Sequence, residues 1–193
     1  DAAPAVPRLI EYLDAEELIR ISTNIGAVTS TYLATEALAQ IGPPAVDPLI
    51  AALGYPSART RYHAMWALDD MGRAATVAIP ALRKLMAGDE DNMVRQQAGW
   101  TLAELGRFSD ETVAALVARL DDEHPGVRCV AAEVMGKVHP FRAVVVDALL
   151  HAVEDDEIQV RVRAIRSLGS QGPAAAKAVP TLIALLDSSE TYL

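Results

Sequence analysis

Apolar residues recur along this chain every three to four positions, and the whole pattern returns about every 33 residues. Four segments align directly: Thr60-Arg61 to Gly72, Val94-Arg95 to Gly106, Val127-Arg128 to His139, and Val160-Arg161 to Gly172. A fifth, Ser30-Thr31 to Gly42, fits but carries Thr in the Arg slot. The aligned slots, from Thr31 through Arg161, are separated by 30, 34, 33 and 33 residues. Counting the Arg as zero, positions −1, +3, +7 and +10 are nearly all apolar: Val94, Ala98, Leu102 and Leu105 in one unit, Val127, Ala131, Met135 and Val138 in the next. That is one stripe of an amphipathic helix, with a polar remainder. Gly42, Gly72, Gly106 and Gly172 follow these helices where a left-handed residue closes the last turn, and Pro140 after His139 acts as the stop in the unit that lacks Gly.

A second set of helices lies between, ending in Pro48 to Leu53, Pro80 to Leu85, Ala115 to Leu120, Ala148 to Val153 and Pro180 to Leu185. Pro48, Pro80 and Pro180 share one slot, so these helices are expected to begin late or to bend, Pro80 most clearly. Acidic turns follow at Asp89-Glu90-Asp91, Asp121-Asp122-Glu123, Glu154 to Glu157, and Asp187. They account for the repeated cation. An Arg in the first turn of a helix opposes the dipole and needs a carboxylate. The expectation is that the preceding turn supplies it, making Arg61, Arg95, Arg128 and Arg161 a structural ladder.

A fixed period of this length marks stacked helical hairpins. The chain is read as all-α: a right-handed α-solenoid of four to five hairpins over residues 30–193, with 1–29 as divergent capping helices. In that cap Val6 to Tyr12 and Asp14 to Ile25 are the expected helices. The ending at Asp187 to Leu193, where a further second helix is due, suggests a truncated array. Val127 to Gly136 (Val-Arg-x-x-Ala-Ala-x-x-x-Gly) and Val160 to Gly169 (Val-Arg-x-x-Ala-x-x-x-Leu-Gly) resemble the HEAT repeat, in the short bacterial form named after the phycobilisome lyases. The resemblance spans roughly Ser30 to Ser188. It implies a HEAT-like superhelix and leaves function open, since such repeats serve many partners.

In proteins of the resembling type the second helix of each hairpin lines a concave, partner-binding face. Positions +1, +2, +5 and +9 leave the stripe and should look outward there. At +5 stand Glu36, Trp66, Trp100, Glu133 and Arg166; at +9, Gln40, Asp70, Glu104, Lys137 and Ser170. Positions +1 and +2 add Tyr32, Tyr62, His63, Gln96 and Gln97. The expected partner site is therefore Tyr32, Glu36, Tyr62, His63, Trp66, Asp70, Gln97, Trp100, Glu104 and Glu133. Its aromatics would form a strip, because Trp and Tyr bury much area with few rotors. The competing reading makes Trp66 and Trp100 half-buried spacers between helices. The acidic rim points to a basic or amphipathic protein or peptide.

Composition narrows the chemistry. The core must be aliphatic, since only 5% of the residues are aromatic. A net charge of −9 disfavours phosphate backbones and anionic lipid heads. Arg161, Arg163 and Arg166 could form a local basic patch or simply one solvated helix face. No apolar run is long enough to span a bilayer. Cys129 is the only cysteine, so no internal disulfide forms; beside Arg128 in a first helical turn, it reads as packing before reactivity. His63, His124, His139 and His151 are scattered and make no zinc spacing, and none precedes Glu, so the activity of the iron-dependent HEAT hydroxylases is not carried over. No phosphate loop or nucleophile elbow occurs. The expectation is a non-catalytic scaffold with no cofactor and no metal. The runner-up is a lyase- or chaperone-type subunit that handles a tetrapyrrole or other flat ligand on a partner protein. The chain opens Asp1-Ala-Ala-Pro4, which would suit a mature exported protein, but the compartment is not fixed by the sequence and a cytoplasmic one is slightly favoured.

Overall fold

The stripe positions are the core. Thr60, Ala64 and Leu68 are at most 3% exposed, and Val94, Ala98 and Leu102, Val127, Ala131 and Met135, and Val160, Ala164 and Leu168 are as deeply buried. The computed structural model describes residues 3–15, 18–20, 27–106 and 108–187 of the 193. It is a helical chain of two compact units, 1–106 and 107–193.

In the first unit α1 (Val6–Glu11) precedes α2 (Ser30–Ile41), and two hairpins follow: α3 (Pro43–Ala52) with α4 (Ala58–Met71), and α5 (Ile79–Gly88) with α6 (Asn92–Glu104). The second helices α2, α4 and α6 pack in series, each against the next, while α3 backs α4 and α5 backs α6. In the second unit α7 (Asp110–Arg119) pairs with α8 (Pro125–Met135), and α9 (Ala143–Ala152) with α10 (Ile158–Ser170). There α8 packs on α10, and α11 (Val179–Asp187) follows. Burying aliphatic stripes between neighbours is the stabilising term. Each fully buried Leu or Met, such as Leu38, Leu49, Met65, Leu82 and Leu149, contributes roughly 1.5–3 kcal/mol.

Local chemistry sets the helix ends. Side chains accept the free first-turn N–H groups: Ser57 from Thr60, Ser109 from Thr112, and Asp91 from Met93 and Val94. His124 does the same through Nδ1, from the N–H of Gly126. All four expected closing glycines have positive φ: Gly42 at 72°, Gly72 at 53°, Gly106 at 63° and Gly172 at 55°. At Gly42 and Gly72, however, ψ is −138° and −122°, so they leave the left-handed helical well for a region that an L side chain rarely enters. Gly42 thereby ends α2 and starts α3 in a single residue.

The prolines act as expected at two of three positions. Pro80 and Pro180 stand in the first turn of α5 and α11, and the seven residues before each helix, Gly72–Ala78 and Gly172–Ala178, are wound as 3-10 helix. Pro48 differs. It lies inside α3, which begins at Pro43-Pro44 and runs through it. Two prolines already start that helix, so the third only removes one N–H from its middle.

The N-terminal cap also departs from expectation. Val6–Glu11 is helical and continues as a 3-10 turn at Tyr12–Asp14. Of the second expected helix, Asp14 to Ile25, the described residues are not α-helical: Asp14 closes the 3-10 turn and Leu18–Arg20 is extended. Leu18–Arg20 (β1) instead pairs antiparallel with Ala27–Thr29 (β2), Ile19 opposite Val28. Branched Ile19, Val28 and Thr29 favour the extended backbone. The rest of Asp14 to Ile25 after Ala15 lies outside the described residues.

Candidate partner-binding face

The face is set by angles around the second helices. At 100° per residue the buried stripe centres near −65° from the Arg slot. Positions +1 and +5 then lie about 160° from the stripe centre, +9 about 115°, and +2 only about 95°. Exposure follows the angle only in part: +9 is more exposed than +5, and at +1 Tyr32 is exposed while Tyr62, Gln96, Cys129 and Val162 are half-buried. All five +9 residues, Gln40, Asp70, Glu104, Lys137 and Ser170, are exposed. At +5, Glu36, Trp66 and Arg166 are exposed, and Trp100 and Glu133 half-buried. At +2 the side chains turn inward. Leu33, His63 and Arg163 are half-buried, and Gln97 and Val130 are buried.

Gln97 must therefore be removed from the expected contact residues: it is 7% exposed, and its amide donates to Thr101 Oγ1 at 3.2 Å. Glu133, in the second unit, is not a free acid either, since the Arg163 guanidinium donates to it. Arg163 is thereby engaged too, and Arg161 donates to the carbonyls of Asp155 and Asp156, which leaves Arg166 as the exposed member of the expected basic patch.

Within the first unit four of the expected residues meet. Tyr32 and Glu36 from α2, and Trp66 and Asp70 from α4, line one cleft of about 380 Å³, joined by Thr35 and Asp69. Tyr32 is 50% and Trp66 40% exposed. The Trp66 ring is held from behind along its own helix: Tyr62 lies 5.7 Å away and His63 5.8 Å, centroid to centroid. His63 and Tyr62 stack edge-on at 5.4 Å. Burial, with help from Arg59, holds the His63 imidazole below its usual pKa, so it stays neutral beneath the indole. Trp100 and Glu104 occupy the corresponding slots of α6, the indole half-buried and the carboxylate exposed.

A second cleft, of about 870 Å³, lies at the turn end of the hairpins between α3 and α5. Sequence reading did not anticipate it. Its floor holds Ile50, Leu53 and Leu85, with Tyr55 and Pro56 at one side. Its central charges, Arg61 and Asp89, neutralise each other. Arg61 Nε and Nη2 donate to the two Asp89 oxygens at 2.8 and 2.7 Å, and Nη1 donates to the Tyr55 and Pro56 carbonyls at 2.9 and 2.8 Å. Arg128 repeats this in the second unit with Asp155, at 2.8 and 2.9 Å, and with the Asp122 carbonyl at 3.1 Å. Arg95 donates to the carbonyls of Asp89 and Glu90. The preceding turn was expected to supply the carboxylate. In both pairs it supplies carbonyls, and the acid comes from the following turn, 28 and 27 residues on. The same Asp also accepts the backbone N–H two residues later, Asp91 after Asp89 and Glu157 after Asp155, which fixes the turn that presents it.

Cys129 gains no reactivity from its position. Burial pushes its thiol above the usual range, against smaller opposing effects of Arg163 and Arg128. Among the described residues no group of three or more His, Cys, Asp or Glu is placed to hold a metal ion. Among the described residues, too, no helix is long and apolar enough to cross a membrane.

Residues 31–103 and 79–157 match the family HEAT repeats, and residues 160–188 match the PBS lyase HEAT-like repeat. The chain belongs to the HEAT-repeat family. Solved structures share its fold. The phycocyanin lyase complex of CpcE and CpcF from Nostoc sp. PCC7120 contains a chain that is 20% identical, with a TM-score of 0.69, over 85% of this HEAT protein and 98% of that chain. A designed armadillo repeat protein in complex with the peptide (KR)4 is 18% identical, with a TM-score of 0.60, over 96% and 93%. Kap95p, in a structure with RanGDP, is 16% identical, with a TM-score of 0.67, over 94% of this chain and 26% of that one. Comparison with curated proteins yields no match. Proteins of this repeat fold thus include binders of peptides and of whole proteins.

Proposed function

We propose that this HEAT protein is a non-catalytic scaffold that binds a basic or amphipathic segment of a partner protein on its second-helix face. The contact residues are Tyr32, Glu36, Tyr62, His63, Trp66 and Asp70, extended along α6 by Trp100 and Glu104. One observation carries the reading: the rings of Tyr32 and Trp66 stay half in solvent and line one cleft together with three carboxylates, while the repeated aliphatic stripe is buried. Exposed Trp and Tyr that a partner can cover supply most of the energy at protein interfaces. The net charge of −9 argues against a nucleic-acid partner.

Titration with an amphipathic helical peptide carrying a Lys and Arg face tests this. Wild type should bind, and Trp66→Ala/Trp100→Ala should lose binding with its circular dichroism nearly unchanged. Loss of helicity at the titration temperature in that variant would mark the indoles as core and overturn the assignment. A second reading, handling of an open-chain tetrapyrrole on a partner, draws on the lyase-type repeat at 160–188 and on the Tyr62, His63 and Trp66 ring cluster. Absorbance changes of a bilin that depend on Trp66 would favour it.

A further inference from the structure

We propose that the cleft between α2 and α4 is a receptor for an arginine side chain of the partner, the guanidinium lying against Trp66 and Tyr32 and donating to Glu36 and Asp70. This rests on the binding-face reading and adds a chemical identity to it. Of the six lining residues three are carboxylates and none is a cation. Carboxylates of this chain do pair with guanidinium groups, as in Asp89 with Arg61, Asp155 with Arg128, and Glu133 with Arg163. In the cleft, Glu36 accepts from the Gln40 amide at 3.3 Å, a neutral donor from its own helix. Like charges gathered on one concave surface raise the local potential and draw a cation in.

The aromatic walls decide which cation fits. A guanidinium is planar and weakly hydrated, so it stacks on a ring face and still offers edge N–H groups to carboxylates. An ammonium keeps its water more strongly and bonds as a point charge. Tyr32 and Glu36 are one turn apart on α2, and Trp66 and Asp70 one turn apart on α4. Each helix therefore presents one ring and, about 6 Å further along, one acid. Two ring-and-acid pairs facing one cleft suit a flat, fork-shaped cation. Tyr62 and His63 pack against the Trp66 indole, so less freedom is lost when a ligand stacks on it.

The test uses tetra-arginine, tetra-lysine and tetra-citrulline peptides, titrated into the full chain with Trp100→Phe so that Trp66 is the only fluorescent indole. Tetra-arginine should shift Trp66 emission and bind about tenfold tighter than tetra-lysine, and tetra-citrulline should not bind. Glu36→Gln/Asp70→Asn should weaken tetra-arginine about tenfold or more with helicity unchanged. Removing two exposed acids outside the cleft, in Asp47→Asn/Glu154→Gln, should change it far less. Equal affinity for the arginine and lysine peptides, or equal losses in the two double variants, means only the net charge is felt, and the receptor assignment fails. The amphipathic-peptide titration is then decisive for the broader reading: binding that still needs Trp66 leaves the face intact, and no binding removes both.

Discussion

Replacing Arg61 by Met should destabilise the first unit far more than a surface charge change would. Met keeps the apolar stem and removes the guanidinium. The Arg61 and Asp89 side chains are 7% and 5% exposed, so this is a buried pair. The change deletes four hydrogen bonds, two to the carboxylate and two to the Tyr55 and Pro56 carbonyls. Asp89 is left buried with one remaining donor, the Asp91 N–H at 3.0 Å. Breaking one side of a buried pair costs about 3–5 kcal/mol, out of about 5–15 for a whole domain. Arg61→Met/Asp89→Leu eliminates the stranded charge; both variants leave the two carbonyls without the guanidinium, and the double adds only the Asp91 N–H, at about 1–3 kcal/mol for that one group. The double variant should thus be more stable than Arg61→Met. Urea unfolding followed by circular dichroism gives the midpoints, and amide exchange after Asp89 tells whether the turn opens first. A loss under about 1 kcal/mol for the single change, or a double variant equal to the sum of its parts, would refute the buried-pair account.

Further outcomes follow from other contacts. Gly136→Ala would place a Cβ 2.7 Å from Ser167 Oγ and should cost about 1–3 kcal/mol, whereas Gly169→Ala, with nothing within 4 Å of its Cβ in a helix, should gain about 0.5–1; thermal melts separate them. Trp66→Ala should cost about 1–2 kcal/mol and Trp100→Ala more, because Trp66 is 40% exposed and Trp100 is half-buried; the same melts rank them. For Asp155, burial alone would raise the carboxyl, but hydrogen bonds from Arg128 and the Glu157 N–H outweigh it and its pKa is lowered. The stability it adds is present above the ordinary Asp value of about 3.9 and is lost as pH falls through the lower folded value; Asp155→Asn should flatten that loss in acid titrations. The His63 imidazole, also held low, works against folding once protonated, so stability should fall as pH drops below about 6.5, and His63→Phe should remove that fall.

What the sequence made legible is what one helix can encode. The stripe at −1, +3, +7 and +10, the closing glycines and the late starts at Pro80 and Pro180 are local and follow from spacing and backbone chemistry. The +10 slot even tolerates Gln171, fully buried, because its amide reaches the Met135 carbonyl of the helix beside it. What depends on stacking was not legible. The acid for Arg61 and for Arg128 comes from a turn 28 or 27 residues on, and only the rise from one hairpin to the next brings it there. Gln97 failed because +2 lies at the margin of the stripe, where neighbouring helices decide exposure. The cleft shows the same division. Aligned slot against slot, α2 and α4 would set Glu36 beside Trp66; the lining residues are instead +1, +4 and +5 of α2 with +5, +8 and +9 of α4. The two helices contribute surfaces displaced by about one turn, roughly 6 Å. That displacement puts a ring and an acid of each helix around the same hollow. The residue types were readable in advance, but their convergence is a property of packed helices.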